Sequence, residues 1–280
     1  MIRFEETDSA DVNLVLTVDR AIHSGRTAYQ QVEVFDNGAF GRVLALDGIV
    51  QTTERDEFVY HEMLVHPAML AHGAARRVLI VGGGDGGALE EVLKHPVERV
   101  VMVEIDREVV ALARAHLGAI CGAAFEDPRL DLVIGDGLAY VAGEGERFDV
   151  ILVDSTDPVG PGKVLFEPPF YRDCRRRLAA GGIVISQNTV PFLAGEVVGA
   201  AAAGLRPLFR DVAAYLVPVP SFVGGHMAFV WAADEATLRE LSEETLAARQ
   251  AALGLDLRYY SPAVQRAAFV LPPYVRELIG

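Results

Sequence analysis

Residues 78–106 read VLIVGGGDGGALEEVLKHPVERVVMVEID, and this stretch decides the fold. It opens on a short apolar run, which suits a strand buried on both faces of a parallel sheet. A block of glycine and aspartate follows, then a helical pattern over 88–94, a second apolar run over 99–103, and Glu104. Strand, glycine turn, helix, strand and acid make one βαβ unit with a nucleotide-type crevice at its carboxyl end.

Each part has a physical reason. Glycines admit positive φ and let a ligand lie against bare backbone. A helix opening there offers unpaired N–H groups to that ligand. Glu104 lies about 20 residues past the turn, where an acid can accept both hydroxyls of a ribose. Gly82, Gly84 and Gly87 also satisfy the GxGxxG pattern of dinucleotide sites. Against that reading, Asp85 stands inside the loop. A carboxylate beside a pyrophosphate is a like-charge contact in a poorly solvated place. The expected ligand is an adenosine compound that is not an anion, and a cation fits best.

The alternation continues downstream. An amphipathic helix is expected over 108–117, and strands over 130–134, 148–153 and 183–186. These strands run into Gly135-Asp136-Gly137, Asp154-Ser155-Thr156-Asp157-Pro158 and Gln187-Asn188. Glu104, Asp136 and Asp154 therefore stand at the carboxyl ends of successive strands, the edge where open α/β sheets bind ligands. One such acid is ordinarily a helix cap; several together with Asp85 make a cluster. Residues 155–169 are rich in glycine and proline, the composition of a lid, with Leu165 and Phe166 as its apolar face.

Upstream, residues 1–53 read as β structure. Strand-like runs at 12–18, 32–34 and 42–46 are separated by turns at Asp36-Asn37-Gly38 and Asp47-Gly48. Such a small sheet must pack on the main domain or on a copy of itself, so an oligomer is expected. The division expected is an N-terminal β domain over 1–53 and a catalytic domain over 54–280. A helix follows, with Thr53 as its cap, carrying Tyr60 and His61. His61, Glu62 and His66 imitate a zinc motif, but the histidines are five apart and about 140° out of phase on a helix. No metal is expected.

The chain has 280 residues and a net charge of −14, which argues against nucleic acid or anionic membranes as partners and suits a cationic substrate. Cys121 and Cys174 lack metal spacing and are expected as reduced, buried thiols. The first ten residues have no apolar signal segment, and the alanine-rich run at 197–205 is too short to span a bilayer. A soluble, cytoplasmic protein is expected.

These residues carry a resemblance. The chain resembles the spermidine synthases, polyamine aminopropyltransferases, of the bacterial branch. The likeness covers nearly the whole length and rests on TAYQQVEVF, LALDGIVQTTERDEFVYHEML, VLIVGGGDGGALEEVLKH, VMVEID, GDG, DSTDPVGP and RYYSPAVQRAAFVLP. It implies an α/β fold with a Rossmann-like, class I methyltransferase-like, mostly parallel sheet and a small N-terminal β-sheet domain. It also implies transfer of an aminopropyl group from decarboxylated S-adenosylmethionine, a co-substrate and no resident cofactor, to putrescine. The products would be spermidine and methylthioadenosine, and the assembly a homodimer or homotetramer.

By the same resemblance, Glu104 would hold the ribose hydroxyls and Asp136 and Gly137 the adenine. Gln30, Gly82, Gly84 and Pro161 would border the nucleoside. Asp154 would accept the proton, with Asp157 and Tyr60 beside it. Gln51, His61, Asp85 and Gln187 would line the polyamine side. Many relatives read Pro-Thr-Tyr before a glycine-rich turn; this chain reads PSFVGG over 220–225. Loss of a phenol at Phe222 removes a hydrogen bond near the acceptor and leaves the amine open among putrescine, cadaverine, agmatine and spermidine, with pocket depth set around Phe222 and Leu216.

The charge pattern agrees. A methyltransferase would use the same fold and Glu104, but its donor keeps a carboxylate that Asp85 and Asp154 repel; the decarboxylated donor ends in an ammonium they attract. A non-catalytic nucleoside binder would not need Asp154 and Asp157 beside the lid. A nicotinamide dehydrogenase is the remaining alternative. As an ordinary carboxylate, Asp154 would be a weak base for an amine of pKa ~10.4, so much of the rate is expected from alignment.

Overall fold

The structure, a computed structural model, describes residues 2–6, 12–156 and 160–280, with the side chains at 160, 161 and 163 outside the description. A first hairpin pairs β1 (Ile2–Glu5) with β2 (Val15–Val18). The strand expected over 12–18 thus forms only in its second half. Next comes an antiparallel sheet of β3 (Arg20–Arg26), β4 (Gln31–Asn37), β5 (Gly41–Leu46) and β6 (Ile49–Thr53), in that order. Alternation sends its side chains two ways. Val32, Val34, Leu44 and Leu46 enter the core shared with the rest of the chain, while Phe35, Val43 and Ala45 meet Phe4 and Leu16 of the hairpin. Of the two expected packings for this sheet, the described chain realises the one on the main body.

Helix α1 (Glu57–His72) follows. Its expected cap is corrected: Thr53 lies in β6 and gives its hydroxyl to Asp56 Oδ1 at 2.5 Å, and Asp56 is the cap residue. The other Asp56 oxygen accepts from the Ser221 N–H at 2.7 Å. Asp56 therefore staples the start of α1 to a distant loop.

The main sheet contains β7 (Arg77–Gly82), β8 (Arg99–Glu104), β9 (Leu130–Ile134), β10 (Phe148–Asp154), β11 (Leu178–Gln187), β12 (Asp211–Val217) and β13 (Met227–Ala233). Its order is β12-β13-β11-β10-β7-β8-β9, with β13 antiparallel to both neighbours. Helices α2 (Gly87–Leu93) and α3 (Arg107–His116) connect β7 to β8 and β8 toward β9. The apolar runs are explained by burial on both faces. Val78 and Ile80 enter the core under α1 and α2, whereas Leu79 and Val81 enter the opposite core with Phe170 and Val198.

From β7 the chain winds outward through β8 and β9, and from β10 outward through β11. The β7/β10 boundary is therefore the topological switch point, where a crevice opens at the carboxyl edge. Gly82 makes the approach there possible. At φ +86°, a Cβ on it would stand 2.1 Å from the Asp154 carbonyl oxygen. Among the described residues, no helix is long and apolar enough to cross a membrane. Cys121 and Cys174 are buried free thiols.

Candidate active site

A cavity of about 660 Å³ opens at the switch point, between the carboxyl edge of the main sheet and the N-terminal sheet. The β7–β8 side contributes Gly82, Gly83, Gly84 and Glu104, with Asp136 and Gly137 after β9. The β10–β11 side contributes Asp154, Ser155, Gln187 and Thr189. Gln30 and Gln51 reach in from the N-terminal sheet, and Tyr60 and His61 from α1. The described lining thus brings together nearly all residues singled out from the sequence. Asp157 and the Pro161 side chain lie outside the described residues.

Asp154 ends β10 and receives the Tyr60 hydroxyl on Oδ1 at 2.6 Å. Burial pushes its carboxyl up to about 6, with the negative charge of Asp85 adding to the rise. It is a stronger base than the ordinary carboxylate expected from sequence.

His61 sits between two acids, with Nδ1 2.8 Å from Glu57 and Nε2 3.5 Å from Asp85. Burial opposes its charge, yet Asp85 and Glu57 outweigh burial and hold its pKa well above the usual histidine range. Conversely, burial would raise Asp85, but the His61 cation wins and lowers it. His61 and Asp85 form a buried ion pair. Asp85 Oδ1 also accepts the Gly87 N–H at 2.9 Å. This corrects the expectation that the opening N–H groups of α2 wait for the ligand: one of them already holds a carboxylate, so an anion would meet a filled site.

Gly87 itself does not line the cavity. Its missing Cβ makes room for His61, whose ring would lie 2.2 Å away. Gly87→Ala should therefore displace the imidazole and lower turnover about tenfold or more, as misplacement of a binding group does. Wild-type turnover in that variant would show that the His61 position does not matter.

Glu104 is buried against the glycine loop, with Oε1 accepting from the Asp106 N–H at 2.8 Å. Burial lifts its pKa from 4.5 to about 7. The folded chain therefore keeps a proton here that the unfolded chain releases. Its stability contribution is full below the unfolded value and is lost as pH rises through the folded one. Relative to Glu104→Gln, the wild type should lose about 3 kcal/mol between about pH 4.5 and 8. Urea denaturation across that range tests it, and a pH-independent difference would show that Glu104 titrates normally.

Other groups are more firmly engaged. Gln30 Nε2 donates to Asp106 at 3.0 Å, and Gln51 Nε2 to the Ile49 carbonyl at 3.2 Å. Gln187 gives Nε2 to the Ser155 carbonyl at 2.8 Å, and its Oε1 accepts from the Thr189 N–H at 2.7 Å. Asp136 caps the helix Gly137–Ala142 by accepting from the Leu138 N–H at 2.8 Å, so it is both helix cap and cavity wall.

Two apolar expectations are corrected. Leu165 reaches the cavity but Phe166 does not. Leu216 packs into the core on the far face of the sheet, because its neighbours in β12 alternate, and only Phe222 lines the wall. Val190, Phe192 and Leu193 also line it, at the start of the helix Pro191–Leu205. Sequence reasoning missed these, along with Glu57 as the His61 partner and Thr189. The i,i+4 spacing of Glu57 and His61 on α1 was the one available signal.

His66 turns away into the core, 2.9 Å from both His95 and Glu91. The residues able to ligate a cation are instead His61, Asp85 and Asp154, which bring one ligand atom each within 4.8 Å of one another. An ammonium would meet the same carboxylates. Five carboxylate residues line the cavity (Glu6, Asp85, Glu104, Asp136, Asp154), and among the described residues no lysine or arginine does.

The Spermine/spermidine synthase domain family matches residues 57–242. The chain belongs to that family. The spermidine synthase tetramerisation domain matches residues 2–54 of this family member. A polyamine aminopropyltransferase 1 of Pseudomonas aeruginosa is 50% identical over 281 residues, spanning 100% of this chain and 98% of its own. A polyamine aminopropyltransferase of Escherichia coli O1:K1 is 47% identical, spanning 99% and 97%. Among solved structures, a spermidine synthase in complex with the transition state analogue AdoDATO superposes with a TM-score of 0.94 at 35% identity, covering 100% of this chain and 95% of that one. Spermidine synthase from Thermotoga maritima gives 0.91 at 34%, covering 100% and 94%. This member of the spermine/spermidine synthase family therefore shares its fold with solved spermidine synthases along its whole length.

Proposed function

We propose that the protein transfers the aminopropyl group of decarboxylated S-adenosylmethionine to putrescine, giving spermidine and methylthioadenosine. The observation that carries this reading is the cavity wall, rich in carboxylates and, among the described residues, without lysine or arginine. Such a wall favours a sulfonium donor ending in an ammonium and an amine acceptor, and disfavours the carboxylate of S-adenosylmethionine.

The nucleoside lies on the β7–β8 side in this reading. Glu104 takes the ribose hydroxyls and ionises as they donate to it. Gln30, Gly82, Gly84, Asp136, Gly137 and Pro161 border the rest. The amine lies on the β10–β11 side, among Gln51, His61, Asp85, Asp157 and Gln187. The reaction is an in-line displacement. The amine lone pair forms a C–N bond at the carbon beside the sulfonium, the C–S electron pair goes to sulfur, and a neutral thioether leaves. Asp154, oriented by Tyr60, accepts the amine proton and passes it to water. An alkyl ammonium of pKa ~10.4 near neutrality imposes a handicap of roughly 4–5 kcal/mol, which alignment of the reactants must offset. The same reading has residues 1–53 as an oligomerisation sheet, 54–280 as the catalytic domain, a homodimer or homotetramer as the assembly, and the cytoplasm as its place of action.

The test is to incubate the purified protein with decarboxylated S-adenosylmethionine and a panel of di- and polyamines, and to follow methylthioadenosine by mass spectrometry. Methylthioadenosine with putrescine preferred is the expected result. No product with any amine, from folded protein, or methyl transfer from S-adenosylmethionine itself, would overturn the reading.

A further inference from the structure

Thr189 stands two residues beyond β11 and lines the cavity on its β10–β11 side. Its φ is +54°, in the left-handed region. A β-branched side chain avoids that region because Cβ crowds the neighbouring carbonyl. Among the described residues, Asp47 is the other non-glycine there, and it belongs to the tight turn between β5 and β6, where aspartate is ordinary. Thr189 has no such excuse. It connects a strand to a helix.

Its conformation is imposed from several sides. The Thr189 N–H donates to Gln187 Oε1 at 2.7 Å, and its carbonyl accepts from the Ala228 N–H at 2.8 Å. The preceding Asn188 N–H donates to the Ala228 carbonyl at 2.8 Å. Backbone strain over-determined in this way at a cavity wall points to a side chain held for a purpose. Among the described residues no hydrogen-bond partner takes the Thr189 hydroxyl, and it is not one of the sealed, unsatisfied hydroxyls of the core. Gln187, bonded to its N–H, and the adjoining Val190 line the same wall. A hydroxyl beside apolar surface suits a ligand made of methylenes ending in an N–H donor.

Resting on the reaction proposed above, the geometry points to Thr189 as an acceptor-selecting residue, whose hydroxyl oxygen accepts an N–H of the bound diamine. Asp154 takes one N–H of an amine, and Thr189 takes another, on the side of the cavity away from the nucleoside. The donor makes no use of it.

Three substitutions separate the hydroxyl from the backbone. Thr189→Gly removes the hydroxyl and relieves the left-handed φ. Thr189→Val keeps the shape and the strain without the hydroxyl. Thr189→Ser keeps the hydroxyl. The KM for putrescine should rise roughly ten- to a hundredfold in the glycine and valine variants, as loss of one hydrogen bond to a charged group does, and stay within about twofold in the serine variant. The donor KM should stay unchanged in all three, and the glycine variant should melt at or above the wild-type temperature. A wild-type putrescine KM in Thr189→Gly would overturn the inference while leaving the reaction intact. Wild-type protein that makes no methylthioadenosine from any amine would overturn the reaction reading, and this inference with it.

Discussion

Asp154→Asn should lower turnover about a thousandfold while leaving donor affinity within about threefold. The carboxylate ends β10 at the switch point, between the side carrying Glu104 and the side carrying Gln187. Burial, then Asp85, pushes its pKa up to about 6, while His61 and the Tyr60 hydrogen bond pull the other way. That brings it roughly two units closer to an amine than a free carboxylate and makes it a better base. Asparagine has the same shape and can still accept the Tyr60 hydroxyl, so the wall stays in place and only the proton acceptor is lost. The acid limb of the turnover profile should vanish with it. Calorimetric titration of the donor against single-turnover rates separates the two effects. Equal losses of donor affinity and turnover would contradict the assignment.

Glu62→Ala should cost roughly 4 kcal/mol of stability and lower the melting temperature by about 10 °C. Glu62 follows His61 on α1 and is buried. Its Oε1 accepts the Arg258 N–H at 2.8 Å, and its Oε2 accepts those of Tyr259 and Tyr260 at 2.8 and 2.7 Å. One carboxylate thus satisfies three successive backbone donors of the C-terminal segment. Alanine strands all three, and a buried unpaired N–H costs about 1–3 kcal/mol. Glutamine helps little, because its amide nitrogen would face a donor with a donor. Above the clasp, the Arg258 guanidinium lies over the Phe58 ring at 3.6 Å. Loosening this junction also frees the turn of α1 that carries Tyr60 and His61, so turnover should fall before the protein melts. A wild-type melting curve in the variant would show that the segment is held by other contacts.

The βαβ unit, the fully apolar strands and the acids at their ends were legible because each rests on local pattern: apolar runs of strand length, a glycine block, and an acid at a fixed offset. Glu104, Asp85 and Asp154 could be picked out by position alone. Their states could not. Asp85 reads in sequence as a bare charge in a loop, but the chain folds it onto His61 and the Gly87 N–H. The misread Thr53 shows the same limit. Its hydroxyl donates to Asp56, whose other oxygen takes the N–H of Ser221, a residue 165 positions away.

By itself, the sequence determined the class of fold, the edge of the sheet that binds, and the sign of charge that the cavity prefers. Those follow from periodicity and residue type, which act over a few neighbours. Only the tertiary structure decided that Glu104 and Asp154 titrate far above free carboxylates, that Glu62 clasps a segment nearly 200 residues away, and that Thr189 is held with φ positive. Desolvation depends on what covers a group, and a clasp or an imposed φ on which distant backbone arrives beside it, and neither is written in any local run of residues.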